Sequence, residues 1–225
     1  MHRPGLTLRG CPADVGRFAA ELRHLHLGAP EPARAVLAEL HAAAAAAKGV
    51  LWLDAGVSGG VWGLEEGYNM MVGGDEAAYR LVEPALTSLA PPGGLLHVGP
   101  AGSGHFVKTI HNGIEYGLLQ AYAEGFEALS TFPHAQLDLA AISELWTNGS
   151  VVRSWLLDLL ALALKDEPRL DNIEGYVDDS GTGRWTVEYG VEHAVPMPAI
   201  SAAPCAKQFI SRMRWCAGSR SSSPA

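Results

Sequence analysis

One short segment, Gly104–Gly117 (GHFVKTIHNGIEYG), carries a concentration of chemically active side chains: Lys108, His111, Asn112 and Glu115. On an α-helix turning ~100° per residue, with Lys108 at zero, His111 falls at about −60°, Asn112 at about +40° and Glu115 at about −20°. All four share one stripe about 100° wide. A lysine and a glutamate lining the same cleft form a base and acid pair for proton transfer. A lysine's ordinary proton affinity is too high for a base near neutrality, so that role needs burial to lower it. The neighbouring positions Phe106, Val107, Ile110, Ile114, Leu118 and Ala121 are apolar. A helix apolar nearly all round is expected to be buried, and its polar stripe must then find partners. The competing reading is a solvated polar face, which would spread more Lys, Glu and Gln over the helix.

Three glycine-rich segments accompany it. Asp54–Gly60 (DAGVSGG) runs from an apolar stretch into Ser58-Gly59-Gly60, a turn whose backbone N–H groups can cradle a carboxylate or phosphate. Taken by itself, the segment reads better as an ordinary glycine turn. Gly99–Gly104 (GPAGSG) imitates a dinucleotide loop, but its order is G-x-x-G-x-G and no acidic residue follows at the expected offset, so it is rejected as one. Gly181–Thr186 (GTGRWT) lacks the spacing of a P-loop, although a Thr and an Arg on a glycine turn suit an anion. None of the nine histidines, the close pair His24 and His26 included, makes a metal-ligand spacing with Cys or carboxylate, and no metal is expected.

These segments need elements to hold them. Asp14–Leu27 reads as a helix capped by Asp14, and residues 31–48 as a second helix whose alanine run ends at Gly49. Val50–Val57 reads as a buried parallel strand, with two more short apolar runs at Tyr68–Val72 and Leu95–Val98. Between them Asp75–Leu89 reads as a helix that Pro84 kinks. After Pro100 the pattern turns helical: His105–Leu129, Leu137–Trp146 and Val151–Lys165. The expected fold class is therefore α/β, an incomplete Rossmann-like sheet, followed by an all-α domain. The divisions are 1–101, 102–217 and a Ser-rich, frayed tail, 218–225.

Composition narrows the function classes. The chain has 225 residues, 48% hydrophobic and 18% charged, a globular balance. Sixteen Lys+Arg against twenty-four Asp+Glu give a net charge of −8, which argues against a nucleic-acid partner. Cys11, Cys205 and Cys216 form neither a disulfide framework nor a metal pattern, consistent with a reducing compartment. The start of the chain has no apolar signal core, and Trp155–Leu164 is too short to span a bilayer. The expectation is a cytoplasmic protein without a membrane partner.

DAGVSGGVWGLEEGYNMMVGG and HVGPAGSGHFVKTIHNGIEYGLLQAYAEGFE closely resemble the decarboxylating 6-phosphogluconate dehydrogenases. The likeness continues through SVVRSWLLDLL and DDSGTGRWTVEYGVEHAVPMP and covers roughly residues 50–200, closer to the short-chain bacterial branch. The resemblance implies oxidative decarboxylation of 6-phosphogluconate to ribulose 5-phosphate with reduction of NADP (or NAD), in a homodimer. It implies that Lys108 is the general base toward the substrate 3-hydroxyl and Glu115 the general acid that protonates the enediol. His111 and Asn112 match contacts near the reacting carbons. Ser58, Gly59 and Gly60 match the substrate-binding turn. Tyr116 and Thr182 match phosphate contacts, and Lys207 aligns with a further cation there. No cofactor-binding residue is carried over.

The sequence departs from the family pattern in three places. Residues 1–50 hold no strand followed by G-x-G-x-x-G, so most of the cofactor half is expected to be missing. After Met197 the family pattern gives way to PCAKQFISRMRWCAGSR, with Pro204 where a helix is expected. The chain stops before the family's long helical remainder. Two rival readings follow: a non-catalytic binding or dimerisation remnant, and a related β-hydroxyacid dehydrogenase. The latter shares the Lys and Asn spacing, but the H-N-G-I-E-Y run favours the sugar phosphate.

Overall fold

The structure, a computed structural model, describes residues 31–168, 170 and 181–204, with the side chains of 31–36 left aside. The helix expected at Asp14–Leu27, the missing fingerprint of residues 1–30, Lys207, the three cysteines and the tail lie outside the described residues. The chain forms two compact units, Met1–Lys108 and Thr109–Ala225. The observed order is an α/β portion followed by helices, as the composition of the two halves requires.

In the first unit, α1 (Glu31–Ala46) ends as its sequence dictates. Gly49 takes φ 68°, its N–H donates to the Ala46 carbonyl, and the Val50 N–H returns to the Ala45 carbonyl at 2.9 Å. That pair of bonds is the glycine-terminated Schellman stop. Three strands follow: β1 (Leu53–Ser58), β2 (Asn69–Gly74) and β3 (Leu95–Gly99), in the order β1-β2-β3. Between β1 and β2 lie a 3-10 turn at Gly60–Trp62 and the short α2 (Gly63–Glu66). Between β2 and β3 lies α3 (Glu76–Thr87), whose Asp75 cap accepts from the Ala78 N–H at 3.0 Å. This helix continues through Pro84 to Thr87. Met70, Val72 and Tyr79 form the buried core of the unit, with Leu53, Tyr68, Leu86, Ala90 and Leu95 packed around it.

One expectation fails here. β1 runs antiparallel to β2, with Leu53 opposite Gly74 and Ser58 opposite Asn69, and only β2 and β3 are parallel. Nor is β1 buried on both faces: Asp54 and Gly56 are buried, while Ala55 and Val57 are exposed. The apolar run suggested a two-sided core strand, but the connection from β1 to β2 is a short turn and helix, which reverses the chain. A parallel pair needs a crossover of a dozen residues or more.

The long α4 (Ser103–Ser130) starts in the first unit and continues through the second. In the second unit α5 (Leu139–Thr147), α6 (Trp155–Asp166) and α7 (Thr182–Glu192) follow, and a further helix is described over 198–204. Pro198 occupies its first position, where a missing N–H costs nothing, and Pro204 is its last described residue. Helix α6 begins later than the apolar pattern suggested, because the Ser154 hydroxyl caps it by accepting from the Leu157 N–H at 3.2 Å. The Tyr122 hydroxyl donates to the Val152 carbonyl at 2.5 Å and also bonds Ser154 at 2.8 Å, fixing that corner. Phe126, Leu157 and Leu164 form the core, with Tyr122, Leu129, Leu139, Trp146 and Leu160 around them.

The expectation that α4 is buried nearly all round is also corrected. Ile114 is 51% exposed, and Leu118 and Leu119 are more than two-fifths exposed. Burial on this helix is confined to where another element crosses it.

Candidate active site

The first group of site residues lies where α4 starts. The Asp54 carboxylate, 3% exposed, sits under the first turn of α4. It accepts from the Gly102 N–H at 2.7 Å, the His105 N–H at 2.8 Å and the His105 ring Nδ1 at 2.9 Å. A carboxylate only accepts, so Nδ1 is the nitrogen that carries the proton. Burial pushes the Asp54 carboxyl up, but the hydrogen bonds from the His105 ring and from the two backbone N–H groups outweigh it and hold the carboxyl below its ordinary range. The helix N-terminus acts in the same direction.

The close approach of helix and sheet requires glycine three times. A Cβ on Gly56 would lie 2.4 Å from the Cβ of Lys108 and 2.6 Å from the Gly104 carbonyl oxygen. A Cβ on Gly73 would lie 2.5 Å from the Asp54 carboxylate, and one on Gly104 would lie 2.6 Å from the Met71 carbonyl oxygen. The stem of Lys108 therefore rests directly on β1, and its side chain is half-buried. Two residues further along β1 come Ser58 and then Gly59 and Gly60, with φ 139° and 52°. The Tyr68 ring packs beneath this turn, 3.2 Å from where a Gly59 Cβ would be. Ser58 and Gly59 are half-buried and Gly60 is exposed.

The second group belongs to the second unit. Asn112 is buried, and His111 Nδ1 lies 3.4 Å from its side-chain oxygen and 3.7 Å from a Glu115 carboxylate oxygen. Helix α7 crosses α4 here. Thr186, fully buried, donates its hydroxyl to the Thr109 carbonyl at 2.6 Å. Gly113 lets it approach: a Cβ there would meet the Thr186 methyl at 2.5 Å. One turn along each helix, Gly183 faces the Tyr116 ring, and the Thr182 hydroxyl donates to the Tyr116 hydroxyl at 3.2 Å. Two residues singled out from separate segments, Tyr116 and Thr182, thus meet. Arg184 pairs with Glu188 at 3.9 Å on the surface, and its guanidinium also lies beside the glycine turn, 3.2 Å from where a Gly181 Cβ would be.

Ser58, Gly59, Gly60 and Lys108 are therefore on the first unit, and His111, Asn112, Glu115, Tyr116 and Thr182 on the second. Asp54, His105, Gly56, Gly113 and Thr186 make contacts at these places that spacing alone did not reveal. The only local signal was that Asp54 opens the DAGVSGG segment.

A nicotinamide dinucleotide needs open backbone N–H groups at a strand–turn–helix junction to hold its pyrophosphate. In the described residues GPAGSG occupies such a junction, between β3 and α4, yet the Gly102 and His105 N–H groups there already donate to Asp54. That junction does not fit a pyrophosphate.

Comparison with known proteins agrees with this architecture. The family model for the 6-phosphogluconate dehydrogenase C-terminal domain matches residues 104–216, and the model for the NAD binding domain of 6-phosphogluconate dehydrogenase matches 33–99. An NAD(+)-dependent decarboxylating 6-phosphogluconate dehydrogenase from Haloferax volcanii is 44% identical over 163 residues, covering 72% of this chain and 54% of that protein. A decarboxylating 6-phosphogluconate dehydrogenase from Synechocystis is 36% identical over 179 residues, covering 73% of this chain and 37% of its own length. The chain thus spans about half or less of the curated relatives it matches. A solved 6-phosphogluconate dehydrogenase from Plasmodium falciparum superposes with a TM-score of 0.72 at 26% identity, over 96% of this chain and 50% of that one. With both halves matched in order, the chain belongs to the 6-phosphogluconate dehydrogenase family, whose members are NAD(P)-dependent decarboxylating dehydrogenases.

Proposed function

We propose that this chain carries the substrate-side machinery for oxidative decarboxylation of 6-phosphogluconate to ribulose 5-phosphate. The reaction's hydride goes to NADP or NAD in the family. Residues 1–101 belong to the nucleotide-binding half, 102–217 to the helical substrate and dimerisation half, and the assembly is a cytoplasmic homodimer. The carrying observation is that one unbroken helix, α4, presents Lys108, His111, Asn112, Glu115 and Tyr116, with Thr182 hydrogen-bonded to Tyr116.

In this reading Lys108 accepts the proton of the substrate 3-hydroxyl as C3 is oxidised to a ketone. The ketone then accepts the electron pair released when C1 departs from C2 as carbon dioxide. Glu115 returns a proton to that former C2 of the resulting enediol, which becomes C1 of ribulose 5-phosphate. Ser58, Gly59 and Gly60 hold the carboxylate end, while His111 and Asn112 contact the reacting carbons. Tyr116 and Thr182 hold the phosphate, together with Lys207.

A second reading has an observation of its own. The Asp54 cap closes the β3–α4 glycine junction, which among the described residues is the one resembling a dinucleotide loop, and this favours a binding module without turnover. An assay of NADPH and NADH formation from 6-phosphogluconate separates the two. Amide NMR titration of His111 and Tyr116 with 6-phosphogluconate and with gluconate tests the substrate itself. Shifts specific to the phosphorylated sugar are expected, and equal response to gluconate overturns the assignment.

A further inference from the structure

Asp54 has no part in the chemistry above, yet it is a buried carboxylate that accepts three hydrogen bonds. They come from two residues at the start of α4, while its own strand passes beneath Lys108 two residues later. His105 is three residues before Lys108, so the bonded turn and the lysine belong to the same stretch of helix. Gly56 fixes the height of that stretch above β1, because its missing side chain is the space Lys108 occupies.

We propose that Asp54 is a positioning residue for Lys108: bonding of its carboxylate to Gly102 and His105 clamps the first turn of α4 on β1 at Gly56 and so sets where the lysine amine emerges. The significance for catalysis rests on the reading of Lys108 as the base, but the clamp itself is independent of it. Two of its three donors are the backbone N–H groups that define the helix start, so moving the carboxylate moves the helix.

The chain's four lysines allow a direct readout without substrate or cofactor. Reductive methylation of the full chain, followed by mass spectrometry, gives the rate at Lys108 relative to Lys48 and Lys165, both exposed. Asp54→Ala is expected to raise the relative rate at Lys108 severalfold. Gly56→Ala, which displaces the lysine stem, is expected to change it too. Asp54→Asn, which keeps one acceptor oxygen, should fall between Asp54→Ala and the unaltered chain. A purely stabilising Asp54 would lower the melting temperature and leave the Lys108 to Lys165 ratio unchanged, and that result overturns the proposal. Unfolding of Asp54→Ala would show as a rise at all lysines together, and the Asp54→Asn ratio then decides. Failure of the functional reading appears separately, as a missing NMR response to 6-phosphogluconate with the lysine ratios still altered.

Discussion

At the residue scale, two buried groups give the first unit a defined response to acid. Asp54 titrates below its ordinary value of 3.8, so it contributes stability that is full above that pH and disappears as pH falls through its folded-state value. His41, 5% exposed on α1, is pushed below its ordinary 6.5 by burial, so the folded state resists its protonation and loses stability as pH falls below 6.5. Chemical denaturation between pH 7 and pH 3 should therefore show loss in two stages. His41→Phe should remove the upper stage and Asp54→Asn the lower. For the proposed chemistry, Glu115→Gln keeps shape but removes the transferable proton, and general acid catalysis is typically worth ~10²–10⁴ in rate. Under any condition where the chain turns over 6-phosphogluconate, Glu115→Gln should lose within that range and Lys108→Met should abolish turnover with the fold intact. Near-normal rates in steady-state assays would remove those roles.

At the scale of elements, α4 is organised by which of its glycines touch something. Gly113 lies against Thr186, where an added Cβ would come within 2.6 Å of both branches of that side chain, while Gly125 has nothing within 4 Å. In an open helix position, Gly→Ala is worth about 0.5–1 kcal/mol of stability. Overpacking costs about 1–3 kcal/mol. Gly125→Ala should therefore stabilise by about 0.5–1 kcal/mol, and Gly113→Ala should destabilise despite the same helix propensity. Paired urea titrations read the difference in sign. Gly113→Ala should also separate Thr182 from Tyr116, because both contacts belong to the one crossing of α4 and α7.

At the scale of the whole molecule, each unit has its own small core. Leu157 is fully buried between Phe126 and Leu164 in the second. Leu157→Ala removes its contacts and leaves a cavity, at a cost of about 2–5 kcal/mol. Thermal melts of the variant should lose near-UV dichroism from Trp146 first, since that ring packs edge-on against Phe126 at 5.5 Å. The cofactor belongs to this scale as well. The β3–α4 junction is closed by Asp54, and charge-assisted contacts to the pyrophosphate supply much of a dinucleotide's affinity. Calorimetric titration with NADP is expected to show binding no tighter than millimolar, and micromolar affinity would mean that another part of the chain forms the cradle.

The sequence alone determined the features that depend on neighbours along the chain. The helix carrying Lys108, His111, Asn112 and Glu115, the stop at Gly49, the change from mixed to helical structure near residue 100 and the family all follow from local periodicity and contiguous motifs. Tertiary structure decided what depends on partners far apart in sequence. The direction of β1 was set by the short connection to β2, not by the apolar run itself. Asp54 and His105 are 51 residues apart, and Thr186 and Thr109 are 77 apart. No local pattern announces that these residues meet. The glycines at 56, 73, 104 and 113 look like any others until a second backbone or side chain comes within reach of the missing Cβ. Burial of α4 followed the same rule: its composition made every face eligible, and the packing of β1, α7 and, at Phe126, α6 against it selected which residues were covered.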